Sequence, residues 1–245
     1  MKIIIFSDIH ANLPAFEKAL ESIYLQKPDA IYCLGDLVGY NIWPNEVIDI
    51  IRSRRIATIA GNHDAKVKSL SSAKMDEPGK NYAYKIITED NKKYLATLPS
   101  HLKVEFKLID SSLTMLLVHG SPNSNDEYLL EDKDEHEFLQ VFENANADIL
   151  FFGHSHKPYY RILDSKKESS RYKYAINTGS VGKPKDGNPQ GGYTMITIHE
   201  NTSALDPQSL KVDFIRFGYD VETAATAIEN SPLPNEFAEM LRKAY

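Results

Sequence analysis

The sequence predicts an α/β protein whose two strand-rich halves pack face to face with helices outside. Residues 2–64 alternate short apolar runs with amphipathic stretches in β-α-β-α-β order, the pattern of right-handed crossovers and a largely parallel sheet. From residue 159 onward, apolar or alternating runs are joined by short polar or Gly-rich connections, the pattern of antiparallel pairing. Five apolar runs empty directly into Asp, Asn or His, and in open α/β sheets ligands bind beyond the carboxyl ends of strands.

Each element has a local reason. Lys2–Phe6 reads as a buried strand because its apolar residues run without interruption up to Ser7. Asn12 and Pro14 open a helix to about Gln26, with Leu13, Phe16, Leu20 and Ile23 on one face. Lys27-Pro28-Asp29 stops it, and a second strand runs Ala30–Leu34 into Gly35-Asp36. Pro44 and Asn45 start a helix through about Arg52, and a third strand, Ile56–Ala60, ends at Gly61-Asn62-His63-Asp64. Residues 65–101 are polar and Lys-containing, helical in pieces near Tyr82–Ile87 and Asp90–Leu98; they read as an insertion or lid. Strands are expected at Lys103–Leu108, Leu113–Val118 and Asp148–Phe152, with a helix ending near Asn144 between the last two. The second half predicts strands Tyr159–Leu163, Tyr172–Ile176, Tyr193–Ile198 and Val212–Phe217. Residues 218–245 read as a helical tail, Val221–Glu229 and Asn235–Lys243. No repeat or linker interrupts the chain, so one domain over 1–245 is expected.

Composition narrows the functional classes. At 245 residues the chain can bury a sizeable core. Net charge of −6 disfavours a partner as anionic as a long nucleic acid. No stretch reaches membrane-spanning length and the start Met1-Lys2-Ile3 lacks the long apolar region of a signal peptide, so a cytoplasmic location without membrane attachment is expected. The single cysteine, Cys33, lies in an apolar run and reads as core.

The residues at the strand ends are Asp8, His10, Asp36, Asn62, His63, His119, His154 and His156; they include five of the eight histidines. Asp8 and His10 are two apart and share a face of an extended chain. Nitrogen and oxygen donors without a thiolate suit Mn, Fe, Zn, Ni or Mg. Eight such groups exceed what one ion needs, so two divalent cations sharing a carboxylate fit better. One such histidine alone is most simply a hydrogen-bonded core or surface residue; five separate strand ends acquiring donors by accident is a far poorer explanation.

The ordered set Asp-x-His, Gly-Asp, Gly-Asn-His-Asp, a strand-terminal His-Gly and Gly-His-Ser-His resembles the calcineurin-like metallophosphoesterase superfamily, in particular its small bacterial and archaeal phosphoesterases. Asn-Thr-Gly-Ser-Val-Gly at 177–182 adds to the likeness. The resemblance implies a four-layer α/β/β/α sandwich of two packed mixed sheets. It also implies one metal on Asp8, His10 and His156, another on Asn62, His119 and His154, and Asp36 bridging them. A metal-bridging hydroxide would attack phosphorus, and His63 would assist the leaving group, with Asp64 a candidate to orient it. The protein phosphatases of the superfamily carry Asp-Arg-Gly after Gly-Asp; here Leu37-Val38-Gly39-Tyr40 follows Asp36, so their phosphate-clamping arginine is missing.

These features predict a phosphodiesterase or phosphatase acting on a small or nucleotide-like substrate, with a dinucleoside polyphosphate as the specific variant. The alternatives are a catalytically silent scaffold of the same fold and, disfavoured by the missing arginine, a protein phosphatase. Tyr40 is a candidate to stack a planar leaving group, against the simpler reading that the aromatics here seat the second helix. Lys183 and Lys185, in what reads as a flexible Gly/Pro loop, are candidates to touch distal phosphates. The acid-rich 126–137 stretch reads as an exposed face.

Overall fold

In the computed structural model, residues 1–71, 74, 79–109, 112–165 and 171–245 are described. Residues 72–73 and 75–78 of the expected insertion lie outside them. The elements in chain order are β1 (Lys2–Phe6), α1 (Leu13–Leu25), β2 (Ala30–Cys33), α2 (Pro44–Ser53), β3 (Ala57–Thr58), α3 (Asn62–Ser69), α4 (Tyr82–Lys85) and α5 (Glu89–Thr97). They continue with β4 (His101–Lys107), β5 (Ser112–Val118), α6 (Glu135–Ala145), β6 (Ile149–Phe152), β7 (Tyr159–Asp164) and β8 (Tyr172–Asn177). Strands β9 (Gly191–Thr197) and β10 (Lys211–Phe217) and helices α7 (Val221–Glu229) and α8 (Glu236–Lys243) complete the chain.

The uninterrupted apolar runs are explained by burial on both faces. Ile4 and Phe6 of β1 pack against Phe16, Leu20 and Ile23 of α1 and Val47, Ile48 and Ile51 of α2. Ile3 and Ile5 point the other way and meet Met115, Leu117, Ile149, Phe151 and Ile176. In the second sheet, Leu116, Val118, Leu150 and Phe152 pack against Phe138, Val141 and Phe142 of α6. Alternate residues of one strand thus serve two different cores. The layers are α1 and α2, a sheet in the order β10-β9-β1-β2-β3, a sheet in the order β4-β5-β6-β8-β7, and α6. Both sheets are mixed, and the fold is the predicted sandwich.

Three elements depart from expectation. The halves of the chain do not correspond to the sheets: β9 pairs antiparallel with β1, Ile3 opposite Ile196, and carries β10 with it. Strand β1 has one edge taken by β2, and its free edge is filled by residues 189 to 195 positions away, a pairing no local pattern encodes. Likewise β8 pairs parallel with β6 as well as antiparallel with β7. Helix α3 is the second departure. It lacks an apolar stripe, burying only Asp64 and Val67, and its first residues are Asn62 and His63. The third strand is the last, contracting to Ala57–Thr58.

The terminal helices pack onto the sandwich. Ala224, Ala225, Ile228, Leu233, Phe237, Ala238 and Leu241 enclose Ala83 of α4, with Trp43, Tyr40 and Tyr82 against the same cluster. Pro44 is the first residue of α2, directly after Trp43. Among the described residues, no helix is long and apolar enough to cross a membrane.

Candidate metal centre

All eight strand-end residues meet at the carboxyl edge of the two sheets. Donor atoms of Asp8, His10 and His156 lie within 4.8 Å of one another, as do those of Asp36, His119 and His154, and those of His10, Asp36 and His63. Asn62 joins through its Oδ1, 3.1 Å from His119 Nε2. The loops are tied by Asp8 N–H donating to the Gly35 carbonyl (3.0 Å), His10 N–H to that of Asp36 (2.9 Å) and Gly182 N–H to that of Asp8 (3.0 Å). Asp8, His10, Asp36, His154 and His156 all adopt positive φ, between 51° and 63°. Left-handed backbone costs roughly 1–2 kcal/mol at each non-glycine residue, and such strain concentrates where function demands a geometry.

Hydrogen bonds behind the rings set their tautomers. Nδ1 of His10 faces the Val38 carbonyl at 3.0 Å, that of His119 the Leu34 carbonyl at 2.9 Å, and that of His156 the Lys183 carbonyl at 2.5 Å. A carbonyl only accepts, so each Nδ1 carries a hydrogen and each neutral ring presents the Nε2 lone pair to the pocket. The Nε2 atoms of His10 and His156 are then 3.2 Å apart, lone pair toward lone pair. Asp8 Oδ1 stands 3.1 Å from His156 Nε2 and 3.6 Å from His10 Nε2. Asp36 Oδ2 lies between the groups, 3.6 Å from His10 Nε2 and 3.3 Å from His119 Nε2. Asp8 Oδ1 and His154 Nε2, one in each group, are buried without a hydrogen-bond partner among the described residues. Buried, unpartnered polar atoms facing one another across the pocket are costly alone and suit metal binding.

The field has the same sense. Burial opposes ionisation of Asp36, yet His119 and then His63 hold its carboxyl below the usual carboxylate range. Burial opposes that of Asp8 too, and His156, His10 and His119 together outweigh it. Burial lowers His63 to about 3 and His156 to about 4. For His119 burial is outweighed by Asp36, which raises it to about 10.

His63 sits at the rim. Its backbone N–H donates to Asp36 Oδ1 at 2.8 Å, and its ring lies 5.0 Å from that of His10 and 4.9 Å from that of Tyr40. The expected orienter, Asp64, does not touch the ring. Its carboxylate instead accepts from the backbone N–H groups of Asp36 (2.8 Å), Leu37 (2.9 Å) and Gly61 (3.0 Å), clamping the β2 and β3 loops together. His63 Nδ1 meets the hydroxyl of Tyr84, a buried residue of α4. Two glycines make the space: a Cβ on Gly61 would collide with Asp36, and one on Gly39, at φ +94°, would lie 2.6 Å from His63 Nδ1.

The residues expected to touch substrate are placed unequally. Tyr40 has positive φ and packs edge-on to His10 at 4.8 Å and against Phe237 of α8 at 4.9 Å. The Lys183 loop is not the flexible, solvated segment expected. Lys183 is 2% exposed, its amine 4.7 Å from the centre of the Tyr40 ring and its backbone N–H on Ser180 Oγ. Burial lowers that amine to about 8. Lys185 is half-buried and feels the charges of Asp8 and Asp36. The acid-rich segment is mostly exposed, yet Tyr128 from it stacks on His154 at 4.1 Å and 20°. Tyr84 and Tyr128 carry no signal in the sequence beyond being aromatic in polar segments.

A chain with this fold and this donor set belongs to the calcineurin-like phosphoesterase superfamily, whose domain profile matches residues 1–201. It is a phosphoester hydrolase of a metal-dependent family, and its clustered Asp and His groups can bind metal. It is 31% identical to the uncharacterized protein MJ0912 of Methanocaldococcus jannaschii, over 98% of this chain and 96% of that one. It is 25% identical to the phosphodiesterase YfcE of Escherichia coli, over 86% of this chain and 95% of that one. The crystal structure of a metallophosphoesterase from Sphaerobacter thermophilus superposes with a TM-score of 0.76 at 27% identity, covering 100% of this chain and 99% of the other. That of protein PH1004 from Pyrococcus horikoshii superposes at 0.79 with 21% identity, over 100% and 98%, and shares the fold.

Proposed function

We propose that this protein hydrolyses a phosphodiester or phosphomonoester of a small or nucleotide-like substrate at a pocket holding two divalent cations. Asp8, His10 and His156 hold one cation, Asn62, His119 and His154 the other, and Asp36 is shared. The observation that carries this is the pair of orphaned acceptors, Asp8 Oδ1 and His154 Nε2, one in each group around Asp36. Once bound, two such ions lower the pKa of a water that attacks phosphorus and neutralise the phosphoryl oxygens. The chain's own work is to fix the donors through backbone carbonyls behind His10, His119 and His156. His63, at the rim, donates an N–H to the leaving oxygen. Tyr40 walls the leaving-group side together with Lys183, and Lys185 meets a further phosphate. A dinucleoside polyphosphate, with phosphates beyond the reacting one for Lys185 to meet, is the substrate variant to test first, and Mn²⁺ suits the oxygen and imidazole donors.

The test is hydrolysis of bis-(p-nitrophenyl) phosphate with Mn²⁺, Fe²⁺, Zn²⁺, Ni²⁺ or Mg²⁺, alongside elemental analysis. Two ions per chain and metal-dependent turnover are expected; no turnover with any of the five metals would overturn the reading. A panel of phosphorylated metabolites, nucleotides and dinucleoside polyphosphates then ranks substrates. His63→Ala is expected to retain two ions while kcat on an ester with an alkoxide leaving group falls about 10²–10⁴-fold. Loss of metal in that variant would reassign His63 to the ligand shell.

A further inference from the structure

We infer that Tyr84 is the positioning residue of His63, its hydroxyl donating to Nδ1 so that the ring N–H stays on Nε2, toward the leaving oxygen. The part played by the leaving oxygen rests on the function proposed above; the contact itself does not. The two rings are parallel within 16° with centroids 6.1 Å apart, so the hydroxyl approaches Nδ1 in the imidazole plane, where its lone pair points. Tyr84 is 2% exposed, and His63 Nδ1 is the one hydrogen-bond partner of its hydroxyl among the described residues. A buried O–H requires an acceptor, and Nδ1 is the acceptor at hand. A neutral imidazole has a single hydrogen, so accepting at Nδ1 leaves it on Nε2.

The surroundings hold this contact in place. Gly39 leaves the Nδ1 side open, where any larger residue would intrude. Helix α4 is only four residues long and cannot position Tyr84 unaided. It is anchored to α2 by Asn45, which donates to the Ile86 carbonyl at 2.8 Å and accepts from Thr88 N–H at 2.9 Å. On its other side Ala83 is enclosed by Ala224, Phe237 and Ala238 of the terminal helices. The insertion and the tail, which carry none of the strand-end donors, thus join in seating one hydroxyl.

Tyr84→Phe removes the hydroxyl and keeps the ring. With ¹⁵N-histidine labelling of the metal-loaded protein, His63 is expected as the Nε2–H tautomer in the parent and as a mixture or the Nδ1–H form in the variant. An unchanged spectrum overturns the contact, whatever the protein hydrolyses. In kinetics, kcat should fall about tenfold for an alkoxide leaving group and under about twofold for p-nitrophenoxide, which needs little help to depart, with KM and metal content unchanged. In the His63→Ala background, Tyr84→Phe should add nothing. Equal losses on both leaving groups, or an additive loss in the double variant, would make Tyr84 a packing residue only. Absence of hydrolysis by the parent protein would count against the proposed function, and the tautomer spectrum would still decide the contact.

Discussion

Asp36→Asn is expected to lower turnover on the order of 10³-fold and to leave at most one ion per chain. Its Oδ2 lies 3.6 Å from His10 Nε2 and 3.3 Å from His119 Nε2, so one change weakens both groups. Metal stabilisation of the reacting phosphoryl oxygens is worth several kcal/mol, and each 1.4 kcal/mol is about tenfold. The amide oxygen can still accept from His63 N–H, as Oδ1 does at 2.8 Å, so the fold should persist. Thermal unfolding provides a second readout. Saturating Mn²⁺ should raise the melting temperature of the parent by roughly 5–10 °C over chelator-treated protein, and this increment should shrink sharply in the variant. Two ions retained with more than a tenth of the activity would show that Asp36 is not shared.

Asp64→Ala is expected to destabilise the protein by about 4 kcal/mol, lowering the melting temperature by on the order of 10 °C. The carboxylate is fully buried and accepts three backbone N–H groups, from Asp36, Leu37 and Gly61. Each donor stranded without an acceptor costs about 1–3 kcal/mol, less whatever water recovers. Asp64→Asn keeps one acceptor oxygen and should lose about half as much. Urea titration measures both; a loss under about 1 kcal/mol for the alanine variant would mean that the loops hold without the clamp. The variant separates Asp64 from catalysis: once folded and metal-loaded, it should retain the leaving-group dependence of the parent, because Asp64 does not touch His63.

Much of the fold was legible because it rests on local patterns. Uninterrupted apolar runs announce strands buried on both faces, and Ile3 to Phe6 do serve two cores. Pro14 and Pro44 open helices where the spacing of apolar residues begins. The strand-end donors were legible for the same reason: each follows its own run by one to four residues. Helix α3 was not, since it holds its first turn with Asp64 rather than with an apolar stripe.

The residues around the pocket were harder to foresee. Lys183 reads as a loop lysine, yet its carbonyl receives His156 and its amine covers Tyr40. The neighbour of His63 in sequence, Asp64, turned out to bind backbone, and the ring's partner arrived from Tyr84, 21 residues on. Nothing in a tripeptide distinguishes a side chain that turns toward a ring from one that turns toward amides.

By itself, then, the sequence determined the order of the strands and most helices and the strand ends at which Asp, Asn and His residues collect, because periodicity and strand termini are properties of neighbouring residues. Tertiary structure alone decided which strand fills the free edge of β1, which carboxylate stands between the two donor groups, and which hydroxyl holds His63. Those depend on distances between residues up to 195 positions apart, as Lys2 and Thr197 are, and only packing sets them.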